Sequence, residues 1–243
     1  MTVRLRAAGI RLVLLDIEGT TTPIAFVHDV LFPFARARIA AWFAERAASD
    51  PEVREIVDGV QQELAAPSGD VAVAAESVVP HLLRFMDADR KSRPLKTLQG
   101  KIWQLGYERG ALKGEVYADV PAAFARWSDA AIEIGIFSSG SVLAQTLLFR
   151  HSTAGDLTPF IRWHFDTAVG AKVEAASYTR IADATGRPPR EVLFVSDIEA
   201  ELTAARDAGM QTRWCLRDPA AASAAASAVP PHEIVRGLDE IAV

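Results

Sequence analysis

The stretch Leu12-Val13-Leu14-Leu15-Asp16-Ile17-Glu18-Gly19-Thr20-Thr21-Thr22 constrains the fold more than any other in the chain. An apolar run ends in a carboxylate, a second carboxylate follows two positions on, and a glycine and three threonines then break the pattern. A continuous apolar run of this length reads as a strand buried on both faces, which is typical of a parallel sheet. Charge delivered at the C-terminal end of such a strand lies where open α/β sheets bind ligands.

The same unit recurs along the chain. Ile132–Phe137 and Glu191–Val195 are further apolar runs that end in polar turns, and Ile161–Phe165, Gln211–Leu216 and Glu233–Val235 are weaker examples. Helical spacing covers Val120–Ala130, Val142–Phe149, Ser177–Thr185 and Ala200–Ala208. Gly186 and Gly209 stand where helices should stop, and Pro188-Pro189 prevents continuation. Strands alternating with helices predict an α/β fold, a doubly wound parallel sheet.

The interval between the first two strong strands is too long for a simple crossover, which needs about a dozen residues or somewhat more. It holds helical patterns over Phe26–Arg46, Pro51–Leu64, Val71–Met86 and Leu98–Tyr107, with a loop at Pro67-Ser68-Gly69. Residues 23–114 are therefore expected to form a helical cap domain beside the mouth of the sheet, with residues 1–22 and 115–243 as the core. Hinges are expected near Thr22-Pro23 and Gly114-Glu115. The alanine- and serine-rich run Ala220–Ala228, ending at Pro230-Pro231, is expected to be a flexible surface loop.

Four segments could carry chemistry. Asp16 and Glu18 would share one side of an extended chain. That pairing becomes favourable if a divalent cation lies between them or one is protonated, and oxygen ligands suit Mg2+. The alternative is a solvated strand end. Ser138-Ser139-Gly140-Ser141 opens a helix, so it is either an anion site or a simple cap made by Ser141. Lys172, ahead of the Ser177 helix, is useful beside a bound anion and otherwise solvated. Ser196-Asp197 closes the third strong strand. Because strands of a parallel sheet end on one edge, Asp16, Glu18, Ser138 and Asp197 would share one rim.

Composition excludes some classes. The chain has 243 residues, 50% of them apolar, and a net charge of −5 with no long basic block, which argues against a nucleic-acid partner. Cys215 is the single cysteine, so neither an intrachain disulfide nor a cysteine metal cluster can form. No apolar run approaches the roughly 20 residues needed to cross a bilayer, so no membrane association and a cytoplasmic location are expected. His28, His81, His151, His164 and His232 lack metal spacing and are expected at the surface or behind the site. No heptad seam is evident, and a monomer is expected. A nucleophile elbow and a P-loop are both absent.

Taken in order, Asp16-Ile17-Glu18-Gly19-Thr20, Ser138, Lys172 and Ser196-Asp197 resemble the four motifs of the haloacid dehalogenase superfamily of phosphotransferases. Glu18 stands where most phosphatases of that superfamily have Asp. Asp-Ile-Glu-Gly-Thr-Thr, Phe137-Ser138-Ser139-Gly140-Ser141-Val142, Phe165-Asp166-Thr167, Leu31-Phe32-Pro33-Phe34 and Leu98-Gln99-Gly100-Lys101-Ile102-Trp103 together resemble the enolase-phosphatase E1 (acireductone synthase) family. The resemblance covers nearly the whole chain.

It implies a methionine-salvage enzyme that enolises 2,3-diketo-5-methylthiopentyl-1-phosphate and then removes its phosphate, with Mg2+ as cofactor. It further implies Asp16 as nucleophile and Glu18 as acid and base. Ser138 and the Ser139 N–H would hold phosphate, with Lys172 as a fixed positive charge. Asp16, Asp197 and the Glu18 carbonyl would be the metal ligands. Trp103 and Phe32 are candidates to cover the thioether end, or else core residues. The rival readings are a superfamily phosphatase for another small phosphomonoester and a phosphate-binding module without catalysis.

Overall fold

The computed structural model describes residues 3–46, 50–65, 78–88, 90–226 and 231–243. The loop expected at Pro67-Ser68-Gly69 and the start of the helix expected from Val71 lie outside them. The described strands are β1 (Val3–Arg4), β2 (Leu12–Leu15), β3 (Glu133–Phe137), β4 (Ile161–Phe165), β5 (Val192–Ser196), β6 (Gln211–Cys215), β7 (Ile234–Val235) and β8 (Ile241–Ala242). The described helices are α1 (Phe32–Arg36), α2 (Ile39–Ala44), α3 (Pro51–Ala65), α4 (Val79–Asp87), α5 (Arg93–Glu108), α6 (Val120–Asp129), α7 (Val142–Arg150), α8 (Ala175–Thr185), α9 (Glu199–Asp207) and α10 (Pro219–Ala226).

The chain divides into two compact units, Met1–Ile24 with Lys113–Val243, and Ala25–Leu112. In the first, six strands pair in parallel in the order β4-β3-β2-β5-β6-β7. β2 is central and every one of its residues is buried. Its side chains alternate between two layers. Leu12 and Leu14 pack with Phe137, Tyr178, Ile181, Phe194 and Leu202. Each such fully buried side chain stabilises the fold by about 1.5–3 kcal/mol. The chain winds outward from β2 through β3 to β4 on one side and from β5 through β6 to β7 on the other. The order therefore switches between β2 and β5, where Leu15 is in register with Val195. A doubly wound sheet opens a crevice for ligands at that point.

Glycine ends α8 as expected: Gly186 takes the left-handed conformation at φ +65°, and its N–H bonds back to Ala182 O and Asp183 O. Two short strands, β1 and β8, form a separate parallel pair that no periodicity announces.

Three expectations are corrected. The run Ala220–Ala228 is not a loop through its described length, because α10 spans Pro219–Ala226. Asp218 caps it, its carboxylate accepting from Ala220 N (2.9 Å). Alanine is the strongest helix former, Pro219 sits in the tolerant first turn, and Ala222 is buried. His232 is not at the surface. It is buried, its Nδ1 2.8 Å from Thr212 Oγ1 and its Nε2 3.3 Å from Thr203 Oγ1, and it ties β6 to α9.

The third correction concerns the second unit, where Phe26–Arg46 is not one helix. A π-helical turn over Phe26–Leu31 leads into α1, and residues 37–38 break the chain before α2. Pro33 supplies no N–H, so the regular ladder is interrupted there. α3 begins as expected at Asp50, whose carboxylate accepts from Glu52 N (2.9 Å). Trp103 is a core residue of this unit. It is buried, donates Nε1 to Leu31 O (2.8 Å) and stacks on Phe32 at 6.3 Å.

Candidate active site

Asp16 directly follows β2, and its N–H bonds to Val195 O on β5 (3.0 Å), so it sits at the switch between the two halves of the sheet. It is buried, 5% exposed. An isolated carboxylate there would be costly. Lys172 answers that charge, with Nζ 2.6 Å from Asp16 Oδ1 and 2.7 Å from Glu201 Oε2. Burial opposes the lysine's charge, but the two carboxylates outweigh it and hold its pKa above the ordinary value.

The lysine is itself positioned. Tyr178 OH donates to Lys172 O (2.7 Å) and Ser177 Oγ to Ala171 O (2.7 Å), so the first turn of α8 fixes the backbone that carries it. Tyr178 packs edge-on against Phe137 of β3 and Phe194 of β5, which locks α8 to the sheet.

Glu201 was not expected from the sequence. It lies at the start of α9, and Ser196 Oγ donates to its Oε2 (2.9 Å) while lying 3.5 Å from Asp16 Oδ2. The available signal was its spacing, since Asp197 and Glu201 are four residues apart at a helix start and can face one region. Burial, then the Asp16 charge, raises the Glu201 pKa.

Asp197 follows β5 and its carbonyl accepts from Trp214 Nε1 (2.9 Å). Burial first, and then the neighbouring Asp16 charge, push its carboxyl up to about 7. Its carboxylate lies against Gly19, where an added Cβ would collide with Asp197 Oδ2. Gly19 also has φ +71°, so the turn requires glycine twice over. Gly19→Ala should therefore remove most activity. It carries about 1–2 kcal/mol of left-handed strain and pushes Asp197 from its seat. Melting and turnover of the variant check this: a modest stability loss is expected with a large fall in kcat.

Glu18 is half-buried and pairs as an isolated bridge with Thr22. Extended backbone stops at Asp16 and the chain bends at Ile17. The two-residue alternation expected to put Glu18 on the side of Asp16 does not apply, because Thr20, Thr21 and Thr22 all turn their N–H groups back to Ile17 O. Asp197, directly after β5, and Glu201 are the acids whose charge Asp16 perturbs.

Ser138 follows β3 and is buried, its Oγ accepting from Gly140 N (3.2 Å). Ser139 is exposed. Ser141 caps α7, accepting from Ala144 N (3.3 Å). The loop is anchored by Gln145, another residue the sequence did not single out. Its Nε2 donates to Gly140 O (2.9 Å) and Phe165 O (2.8 Å). Cys215 plays no part: burial pushes its thiol up to about 12.

Among the described residues no group of three or more His, Cys, Asp or Glu side chains is arranged to hold a metal. Two carboxylates and a backbone oxygen nevertheless suit a hard divalent ion that keeps several waters. Three acids, Asp16, Asp197 and Glu201, interact around the cation Lys172. That excess of negative charge, and the glycine cradle under Asp197, fit a divalent cation.

Fold, switch-point aspartate and lysine define a class. Residues 10–209 match the model of the haloacid dehalogenase-like hydrolases. The curated relatives narrow this further. "Enolase-phosphatase E1" of Synechococcus elongatus is 53% identical, covering 86% of this chain and 90% of that protein. The protein of the same name from Sorangium cellulosum is 48% identical over 96% and 97%. Among solved structures, the UTR4 protein of Saccharomyces cerevisiae aligns with a TM-score of 0.74 and 31% identity over 94% and 98%. The chain belongs to the enolase-phosphatase E1 family of haloacid dehalogenase-like hydrolases.

Proposed function

We propose that the chain is a bifunctional enolase-phosphatase of methionine salvage, acting on 2,3-diketo-5-methylthiopentyl-1-phosphate with Mg2+ as cofactor. The observation that carries this is the buried Asp16–Lys172–Glu201 network at the switch point, with Asp197 beside it. It supplies a lysine-paired carboxylate in a site that can receive a phosphate.

Asp16 attacks phosphorus, the bond from phosphorus to the substrate oxygen breaks, and an aspartyl-phosphate forms. Lys172 pairs with Asp16 and directs its carboxylate. Ser138 and the Ser139 N–H receive the phosphate oxygens at the opening of α7. Glu18 gives a proton to the leaving oxygen and then takes one from the water that hydrolyses the aspartyl-phosphate. Held by Asp16, Asp197 and the Glu18 carbonyl, Mg2+ would offset repulsion between the nucleophile and the phosphate. For the enolisation, Glu18 is the base for the carbon-bound proton. The helical unit Ala25–Leu112 is assigned as the cap domain.

Glu18→Gln tests the shared role. With Glu18 as base, the variant forms neither enol nor free phosphate. Build-up of an enol-phosphate would assign the base elsewhere.

The exposed apolar residues of the core unit support an apolar substrate tail. Val142 and Leu143 follow the Ser138 loop, Val173 follows Lys172 and Ile198 follows Asp197, and all four are exposed. Val173→Ser and Ile198→Ser should each raise KM for the methylthio substrate by roughly 10-fold. The constants for a short phosphomonoester should stay unchanged, and steady-state kinetics on the two substrates reads the difference.

A further inference from the structure

The turn that carries Glu18 and Gly19 gathers most of its own hydrogen bonds on one acceptor. The N–H groups of Thr20, Thr21 and Thr22 converge on one acceptor, Ile17 O, at 3.2, 2.9 and 2.9 Å, and Gly19 N bonds to Thr22 O (2.9 Å). Thr21 Oγ1 reaches Asp16 O (3.2 Å) and Ile17 O (3.3 Å). The Thr20 and Thr22 hydroxyls are buried and have no hydrogen-bond partner.

Further support comes from outside the turn. Thr21 O accepts from Tyr117 N (3.0 Å). Thr20 O accepts twice from Arg217, from Nε at 2.8 Å and Nη2 at 2.6 Å. Arg217 Nη1 donates to both Asp119 oxygens, at 3.0 and 3.1 Å. The guanidinium lies 3.8 Å over the Tyr117 ring. Asp119 Oδ2 also accepts from Leu238 N (2.6 Å), so the acid is fixed on a further side. Both side chains of the ion pair are largely buried. With its charge answered by Asp119, the guanidinium is not an anion receptor, and its other two donor positions are spent on one carbonyl.

We propose that Arg217 is a positioning residue for the reaction: clamped by Asp119, it grips the Thr20 carbonyl and so fixes the turn that carries Glu18 and holds Gly19 against Asp197. The catalytic consequence rests on the phosphatase reading above; the structural consequence does not.

The experiment uses the full chain with Arg217→Ala, Arg217→Lys and Asp119→Asn. The first readout is amide hydrogen exchange. Losing a charge-assisted bond that holds the turn should speed exchange at Gly19–Thr22 by about 10-fold or more, with the β2 and β5 amides unchanged. Arg217→Lys should not restore protection, because an ammonium lacks the planar fork that reaches two partners at once. Asp119→Asn should loosen the same amides to a smaller degree.

The second readout is turnover of para-nitrophenyl phosphate and of the diketone phosphate. A misplaced turn should lower kcat by about 10- to 100-fold and leave KM unchanged. Unchanged exchange in the turn would overturn the proposal, as would an equal rise across the sheet, full rescue by Arg217→Lys, or a change in KM alone. If wild type cleaves only the generic ester, the substrate reading fails, while exchange and generic turnover still decide the role of Arg217.

Discussion

Asp16→Asn should lower phosphate release by roughly 10⁴- to 10⁶-fold, the scale seen when a covalent nucleophile is removed. The amide has nearly the shape of the carboxylate but no charge to attack phosphorus. It also weakens the 2.6 Å contact with Lys172 Nζ, which keeps only Glu201 as an ionic partner. The buried charge falls, so the fold should survive and the stability change should be small or even positive. Inorganic phosphate release and a thermal melt measure the two effects together. Retained turnover would remove Asp16 as the phosphoryl acceptor.

Lys172→Ala should act on both stability and rate. The ammonium is shared by two buried acids, and its removal leaves them uncompensated beside Asp197. Breaking a buried ion pair from one side costs about 3–5 kcal/mol. Turnover should fall at least about 10²- to 10³-fold, as for the loss of one electrostatic donor in a water-excluded site. Added Mg2+ should recover part of the stability and little of the rate, because a cation can offset the acids without directing Asp16. Thermal melts with and without the ion, beside steady-state rates, check this. A melt unmoved by the substitution would show that the network does not carry the charge balance assigned to it.

Asp16 was legible because the sheet is parallel. Strands buried on both faces read as plain apolar runs, and all end on one edge, so Asp16, Ser138 and Asp197 could be gathered from sequence. The insert after β2 was legible as excess length. Its internal breaks were not, since Pro33 marks a discontinuity without saying whether a π-turn or a kink follows.

Glu201, Arg217, Asp119 and Gln145 were missed for one reason: each acts on a backbone or side-chain atom far away in the chain, and such pairings are decided by tertiary packing rather than by local period. α10 was missed because a run of alanine and serine is low in complexity yet high in helix propensity. β1 and β8 are two residues each, too short for alternation to register.

The central claim is that one site both moves a carbon-bound proton and removes a phosphate. The direct measurement gives wild type the diketone phosphate and follows the enol absorbance and inorganic phosphate in the same reaction. Both should appear, phosphate should not precede enol, and a divalent-metal chelator should stop phosphate release. Phosphate released from the diketone without any enol signal would contradict it.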